Sequence, residues 1–569
     1  MIFGLHFLDI LVIILFLLGV TAIGLRTGKK VHSLTDFAMP RTFGKVMMVF
    51  FSFGTGTNSD QAVSVAGKAA TNGISGIWYA WLHLFTTPFF WIIAPAFRRL
   101  RATTTADVFE ARFGRSLAFL YAFLGFAKLT FSIGLSLKGG SIMLEALTGG
   151  ALPGTWAILV LTVLFVLYGV AGGLSAAIVT DFVQGIFTLL FSFLLLPFVW
   201  NAVGGIEGIR GSVVDPEFFS LFATGEIDAF FVAMFAVLSL LMVFGAPQTM
   251  GNCAAGRDEM DGAVGFMVGS FVKRICTVAW ALVGMAGVVY FGGREFDPEQ
   301  MYGMVAREFL PQAGWGLLGL FVAAMMAGMM STCDALMVSA SSLFAQNLYR
   351  PLVKGKSQAH YLMVVRLASL LIVVGGLTVA YLLPGFITGL EIYLRLSSII
   401  GLPLFLGFVW RRTTVAGAWS AVLAAYGIWM VCTIPAVASW LAGFPAMVDA
   451  GVVRETSNSG WTIHLPWQIL FYLSGGFLAG IVVSLLSPRV AEAKLEIFFG
   501  LLRTPVRPEE VLQEPCTLPV GAVVPEPRYL FPGTGIELLV PGRNTLIGFF
   551  SGCAAVALLI GAVVWIMGG

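Results

Sequence analysis

Two clusters of oxygen-bearing side chains stand inside otherwise apolar runs. One is Ser331-Thr332-Cys333-Asp334, preceded by Ala323-Ala324-Met325-Met326-Ala327-Gly328. The other is the stretch from Ser52 to Gln61, which sets Thr55, Thr57, Asn58, Ser59 and Asp60 around two glycines, Gly54 and Gly56. Hydroxyls beside main-chain carbonyls freed from a helix are hard, uncharged oxygens, and such a set suits a small hard cation such as sodium. The local alternative for Ser331 and Thr332 is a hydroxyl bonded back to the carbonyl four residues earlier. Ala324, Gly328, Ser331 and Thr332 share one helical face, which lets a second helix approach closely. A third interruption, Phe244-Gly245-Ala246-Pro247-Gln248-Thr249, pairs a glycine with a proline in mid-run.

The elements that must hold these groups follow from composition. The chain has 569 residues, 58% hydrophobic and 11% charged, with a mean hydropathy of +0.91, whereas soluble domains run at about 45–50% apolar and about 25% charged. A soluble enzyme is excluded, and lipid is the solvent. Beta-barrel spans are excluded because the apolar runs are continuous, not alternating. The net charge of +3 is too even to point to nucleic acid. The six cysteines fall singly, without a metal or disulfide framework. Apolar windows of bilayer length predict an all-α protein of about fourteen transmembrane helices. The first, from Leu8 to Leu25, is flanked by His6, Asp9 and Arg26 and so reads as a retained span, not a cleaved signal.

Basic loops (Arg26 to Lys45, Arg98 to Arg115, Arg350 to Lys356, Arg411-Arg412) alternate with acidic ones (Glu207 to Asp228, Glu295 to Glu308). The positive-inside rule makes the basic side cytoplasmic and puts both termini outside a multi-pass cell-membrane protein. The chain divides into 1–43 (first span and cytoplasmic loop), 44–227 and 228–413 (two five-helix blocks), 414–487 (two peripheral helices), 488–545 (a proline-rich cytoplasmic linker, extended and partly disordered) and 546–569 (last span). The interruptions at 52–61 and 244–249 open the two five-helix blocks. Five is odd, so the second block enters from the opposite side: an inverted repeat, in which broken helices meet at a midplane ion and solute site.

Four segments carry a family resemblance: Ser52 to Gln61; Thr103-Thr104-Thr105-Ala106-Asp107 through Gly114; Gly172-Gly173-Leu174 through Thr180-Asp181-Phe182-Val183-Gln184; and Met330-Ser331-Thr332 through Tyr349-Arg350-Pro351. Together they resemble the sodium/solute symporter family, which includes proline, pantothenate, sialic-acid and sugar symporters, from the first helix to about Arg412. The resemblance implies a leucine-transporter-type fold. It also implies a sodium ion held by the backbone oxygens of Gly54, Thr57 and Gly328 and the hydroxyls of Ser331 and Thr332. Some members hold a second ion between the aspartate matching Asp181 and hydroxyls one turn past the first pair. Here those positions are Asp334 and Ala335, so a carboxylate has replaced one hydroxyl, and a second cation or a proton is the implied occupant. Proline-type members carry an acid where this chain has Gly56, so their solute is not inherited.

For the solute, Asn58, Asp60, Gln61 and Gln248 at the breaks are the candidate contacts, with Arg395 suited to a carboxylate if it faces the cavity. Gln61 matches a sugar-binding position of the sugar symporters. The expected function is sodium-coupled import of a small organic solute by alternating access. The alternatives are a proton-coupled symporter of the same fold, using Asp334 or Asp60, and a transporter-like membrane sensor, for which no kinase-like or output segment is visible after the last helix. No enzyme activity, no nucleic acid and no cofactor beyond sodium is expected, and nothing in the sequence sets an oligomeric state.

Overall fold

A computed structural model of the chain describes residues 4–29, 31–222, 227–292, 294–456, 460–507, 510 and 514–568. In hydrocarbon every backbone N–H and C=O needs an internal partner, so each apolar run closes into a helix unless protein lines the exception. Among the described residues ten helices are long and apolar enough to cross a bilayer, and Lys45–Gly56, Gly154–Val163, Ala229–Gly245 and Ser398–Val409 are shorter apolar pieces. The chain is a multi-pass, mainly helical membrane protein.

Both expected breaks are present. Helix Lys45–Gly56 stops and Ser59–Asn72 restarts, with Thr57 (φ −125°, ψ 102°) and Asn58 (φ −117°, ψ 152°) extended between them. A β-branched residue and an Asn next to glycine lose the least by leaving the helix there. Helix Ala229–Gly245 ends at Ala246 (φ −83°, ψ 117°) before Thr249–Ala254. Ala246 precedes Pro247, whose ring disfavours the helical region for the residue before it.

Around the first break the packing is close. Helix Glu259–Tyr290 lays Gly265 and Gly269 against Met48 and Val49, where a Cβ on Gly269 would stand 2.6 Å from the Val49 carbonyl oxygen. Two small residues one turn apart allow that approach. The central helix Leu317–Leu343 is buried along the whole of its most apolar window and packs on Phe7–Gly28, Arg115–Thr148 and Gly154–Leu194. The last of these is two helical stretches meeting at Gly173, whose φ of 58° and ψ of −157° break the helix. A side chain there would meet Phe37 at 2.7 Å.

Three expectations need correction. The apolar run at 76–97, long enough to read as one of the fourteen predicted spans, is not one helix: Gly73–Tyr79, Trp81–His83 and Thr87–Phe89 are tight 3-10 turns, and regular helix begins only at Phe90. Pro88, which has no N–H to give, sits where a continuous helix would need one. Between the two peripheral helices, Val415–Cys432 and Leu465–Leu486, lies an unexpected hairpin, Val453–Thr456 paired antiparallel with Gly460–Ile463. The 488–545 stretch is no loose linker. It opens with the helix Glu492–Arg503, which buries Leu495, Phe498, Phe499 and Leu501, and continues as a strap tied to Arg411 and Arg101. Arg411 is gripped by Glu492, Glu496 and Glu537, and Arg101 by Glu510. The hydrogen bonds from Arg411 and Arg503 hold the Glu496 carboxyl below its ordinary range.

Candidate functional site

At the first break the Gly54 carbonyl, freed by the end of its helix, accepts the Thr332 hydroxyl at 3.0 Å and the Thr57 N–H at 3.2 Å. Thr332 therefore reaches across to the broken helix, against the back-bonded alternative. A Cβ on Gly54 would collide with Ser331 Oγ and lie 3.3 Å from Asp181 Cγ, so the glycine is what admits both groups. One turn earlier on the same face of the central helix, Gly328 faces the Thr57 carbonyl oxygen, 3.6 Å from a Cβ built there, and Thr188 Oγ1 at 3.4 Å. Gly54, Thr57, Gly328, Ser331 and Thr332 thus converge. Ser331 and Thr57 are fully buried, Thr332 nearly so, and the hydroxyls of Ser331 and Thr57 have no hydrogen-bond partner. A compact set of uncharged hard oxygens with unused lone pairs fits a sodium ion.

Asp181, fully buried, faces the Ser331 hydroxyl and feels the charge of Asp334. The two acids are thus both buried and within electrostatic reach of one another. Two carboxylates removed from water demand a counter-charge, either a cation or a proton.

Next to this cradle lies a cavity of about 200 Å³. Asn58, Asp60, Gln61 and Gln248 all line it. The Asn58 amide donates to Ser136 Oγ at 2.7 Å and to Asp60 Oδ2 at 3.2 Å, an arrangement that fixes Asp60 just past the break. The side chain of Arg395 lies outside the described residues, as does that of Glu391. Trp78 and Trp81 are packing residues, their indole N–H groups bonded to the Leu221 carbonyl at 2.8 Å and to Thr277 Oγ1 at 2.6 Å.

Residues 37–425 match the model of the sodium:solute symporter family. The chain belongs to this family. Among its relatives, the sodium/pantothenate symporter of Haemophilus influenzae is 27% identical over 70% of this chain and 85% of its own length. The sodium/myo-inositol cotransporter 2 of Sus scrofa is 26% identical over 73% of this chain and 68% of its own. In three dimensions the substrate-bound, outward-open state of a Na+-coupled sialic acid symporter superposes with a TM-score of 0.71, covering 85% of this chain and 99% of that one at 16% identity. At that identity the likeness establishes a shared fold. The chain is thus a transporter and not an enzyme.

Family membership makes sense of the Thr103 to Gly114 segment. Thr104 caps the helix Thr105–Phe113 in a capping box with Asp107, and both residues bond Asn347 below the central helix, at 2.7 and 2.8 Å. Sequence reasoning missed Thr188, Ser136, Asn252 and above all Lys273 and Arg274 around the cavity, whereas Lys128 already stands out in the sequence as a charge inside an apolar span. Lys273-Arg274 in the apolar run 264–291 was a visible signal, since charge inside a span is expensive.

Proposed function

We propose that this member of the sodium:solute symporter family couples the entry of sodium to the import of a small organic solute by alternating access. Sodium would sit among the carbonyls of Gly54, Thr57 and Gly328 and the hydroxyls of Ser331 and Thr332. The observation that carries the reading is the contact of the Thr332 hydroxyl with the open carbonyl end of the first broken helix: an ion bound there ties the broken helix to the central one and biases the core toward one arrangement. The solute would occupy the adjoining cavity. Solute counterflow in proteoliposomes, run with and without sodium over a panel of candidate solutes, tests this. Sodium-independent exchange of every transported solute would sink it.

The architecture that goes with this reading is a leucine-transporter-type inverted repeat, 44–227 against 228–413, within fourteen spans and with both termini outside. Val214→Cys and Lys354→Cys, both at exposed positions, should label from outside and only after permeabilisation, respectively. The opposite pattern would reverse the orientation. A second reading, proton coupling, is favoured by one observation: Asp181 and Asp334 are both buried and close enough for Asp181 to feel the charge of Asp334. Transport that moves pH in step with solute, lost in Asp334→Asn, would establish it.

A further inference from the structure

The cavity wall carries more positive than negative charge. Among the described residues Asp60 is the acid that lines it, against Lys273 and Arg274, with Lys128 behind, its Nζ 5.0 Å from the centre of the Tyr393 ring. His83, also on the wall, faces all three cations. Two of these cations are engaged by the protein. Arg274 donates to the Ala80 carbonyl at 2.8 Å, and Lys128 rests on the face of Tyr393, a cation–π contact. Lys273 differs. It is 9% exposed, its stem runs beside Gly56, 3.9 Å from a Cβ built there, and among the described residues no side chain makes a hydrogen bond or an ion pair with its Nζ.

Asp60 feels Lys273 electrostatically, yet the two are not joined, and Asp60 Oδ1 has no partner. The amide oxygens of Gln61, Gln248 and Asn252, also on the wall, are likewise unpartnered. A lone buried ammonium is costly without an anion, and unpaired buried acceptors are costly without donors. The wall therefore asks for a guest with one anionic group and, a few ångströms away, hydrogen-bond donors. The cavity has the room of about seven water molecules at ~30 Å³ each, enough for a small acid.

We propose that Lys273 anchors a carboxylate of the transported solute while Asp60 and the amide oxygens beside it receive the solute's own donor, so that the solute class is a small amino acid or hydroxy acid. This rests on the symport reading only in taking the cavity as the solute's place.

The test is ligand-induced thermal stabilisation of the full chain in lipid nanodiscs at saturating sodium. Three acids (L-proline, L-lactate and pantothenate) are compared with the alcohols that replace their carboxylates (prolinol, propane-1,2-diol and panthenol) and with myo-inositol. At least one acid should stabilise the protein and its alcohol should not. For that acid Lys273→Gln should raise the half-saturating concentration by about 10–100-fold, the loss expected for a charge-assisted hydrogen bond, and Lys273→Arg by less than about 10-fold. Asp60→Asn should weaken an amino acid more than a hydroxy acid, which separates the two sources of the donor. Radioactive sodium binding retained in Lys273→Gln shows that the variant is folded. Equal binding of an acid and its alcohol, unchanged acid affinity in Lys273→Gln, or stabilisation by myo-inositol with no acid active would each overturn the proposal. Absence of any sodium effect on the wild type is a different result: it strikes the symport reading and leaves the acid-versus-alcohol comparison to be scored on its own.

Discussion

The two helix breaks, after Gly56 and after Gly245, differ in what the protein sets against them. At the second break the freed carbonyls are taken up by the protein itself. Gly245 accepts from the Tyr121 hydroxyl at 3.2 Å, Pro247 from Thr105 at 3.5 Å, and Ala246 from the Thr249 N–H at 3.1 Å. At the first break the Gly54 carbonyl is likewise taken, by the Thr332 hydroxyl and the Thr57 N–H, but the Ser331 and Thr57 hydroxyls beside it have no hydrogen-bond partner and the Asp181 carboxyl crowds the same spot. A break whose polar groups are closed by protein is a shaped wall. One whose groups converge with spare lone pairs is a binding site. Glycine and proline alone do not tell them apart; the partners across the gap do.

The sharpest way to break this comparison is Gly54→Ala. The added methyl would overlap the Ser331 hydroxyl and crowd Asp181, so sodium-stimulated uptake should fall to background while the protein remains in the membrane. Near-normal uptake would mean that the close approach at Gly54 serves packing alone.

Next in size come Ser331→Ala and Thr332→Ala, each removing one oxygen from a small shell away from water. The half-saturating sodium concentration should rise about tenfold or more in each, the equivalent of roughly one charge-assisted hydrogen bond. Sodium titration of uptake reads it, and wild-type values in both would remove the ion from the first break. Thr57→Ala should be milder, because its carbonyl stays.

Asp334 comes third. If it is an ion ligand, Asp334→Ala should lower apparent sodium affinity by roughly 3–10-fold and Asp334→Ser should keep sodium-driven uptake. Unaltered affinity and no proton movement in Asp334→Ala, Asp334→Ser and Asp334→Asn would take this residue out of the site.

The smallest effect belongs to the second break. Tyr121→Phe leaves the Gly245 carbonyl without its hydroxyl and should cost about 1–3 kcal/mol of stability, seen as a lower melting temperature, with sodium affinity unchanged. A sodium defect in Tyr121→Phe would erase the distinction between the two breaks.

Both breaks were legible because Gly54-Thr55-Gly56-Thr57-Asn58 and Gly245-Ala246-Pro247 disobey local helix chemistry, and a membrane helix has few reasons to disobey. Ser331 and Thr332 were legible as hydroxyls but not as partners of Gly54, since that pairing spans 278 residues. Lys273 escaped notice because a Lys-Arg pair in a long helix also reads as a snorkelling end; only its position beside Gly56 separates the two. The helix Glu492–Arg503 was hidden by the prolines around it, although Leu495, Phe498 and Phe499 already mark one apolar face. The hairpin at 453–463 is too short and too polar at its tip to stand out from a loop.

The strap that follows Glu492 bears on the order in which the protein is made. Arg101, fully buried against Glu510, meets its partner 409 residues later in the chain, and Arg411 waits for Glu492, Glu496 and Glu537. At a synthesis rate of about 5–20 residues per second, the first of these arginines stands without its acid for roughly 20–80 s. The helices that carry both breaks are therefore complete before these two arginines are fastened. Fastening is the work of the strap, so a ribosome that stops short of residue 492 leaves Arg101 and Arg411 without their acids on a helical core whose breaks are already made.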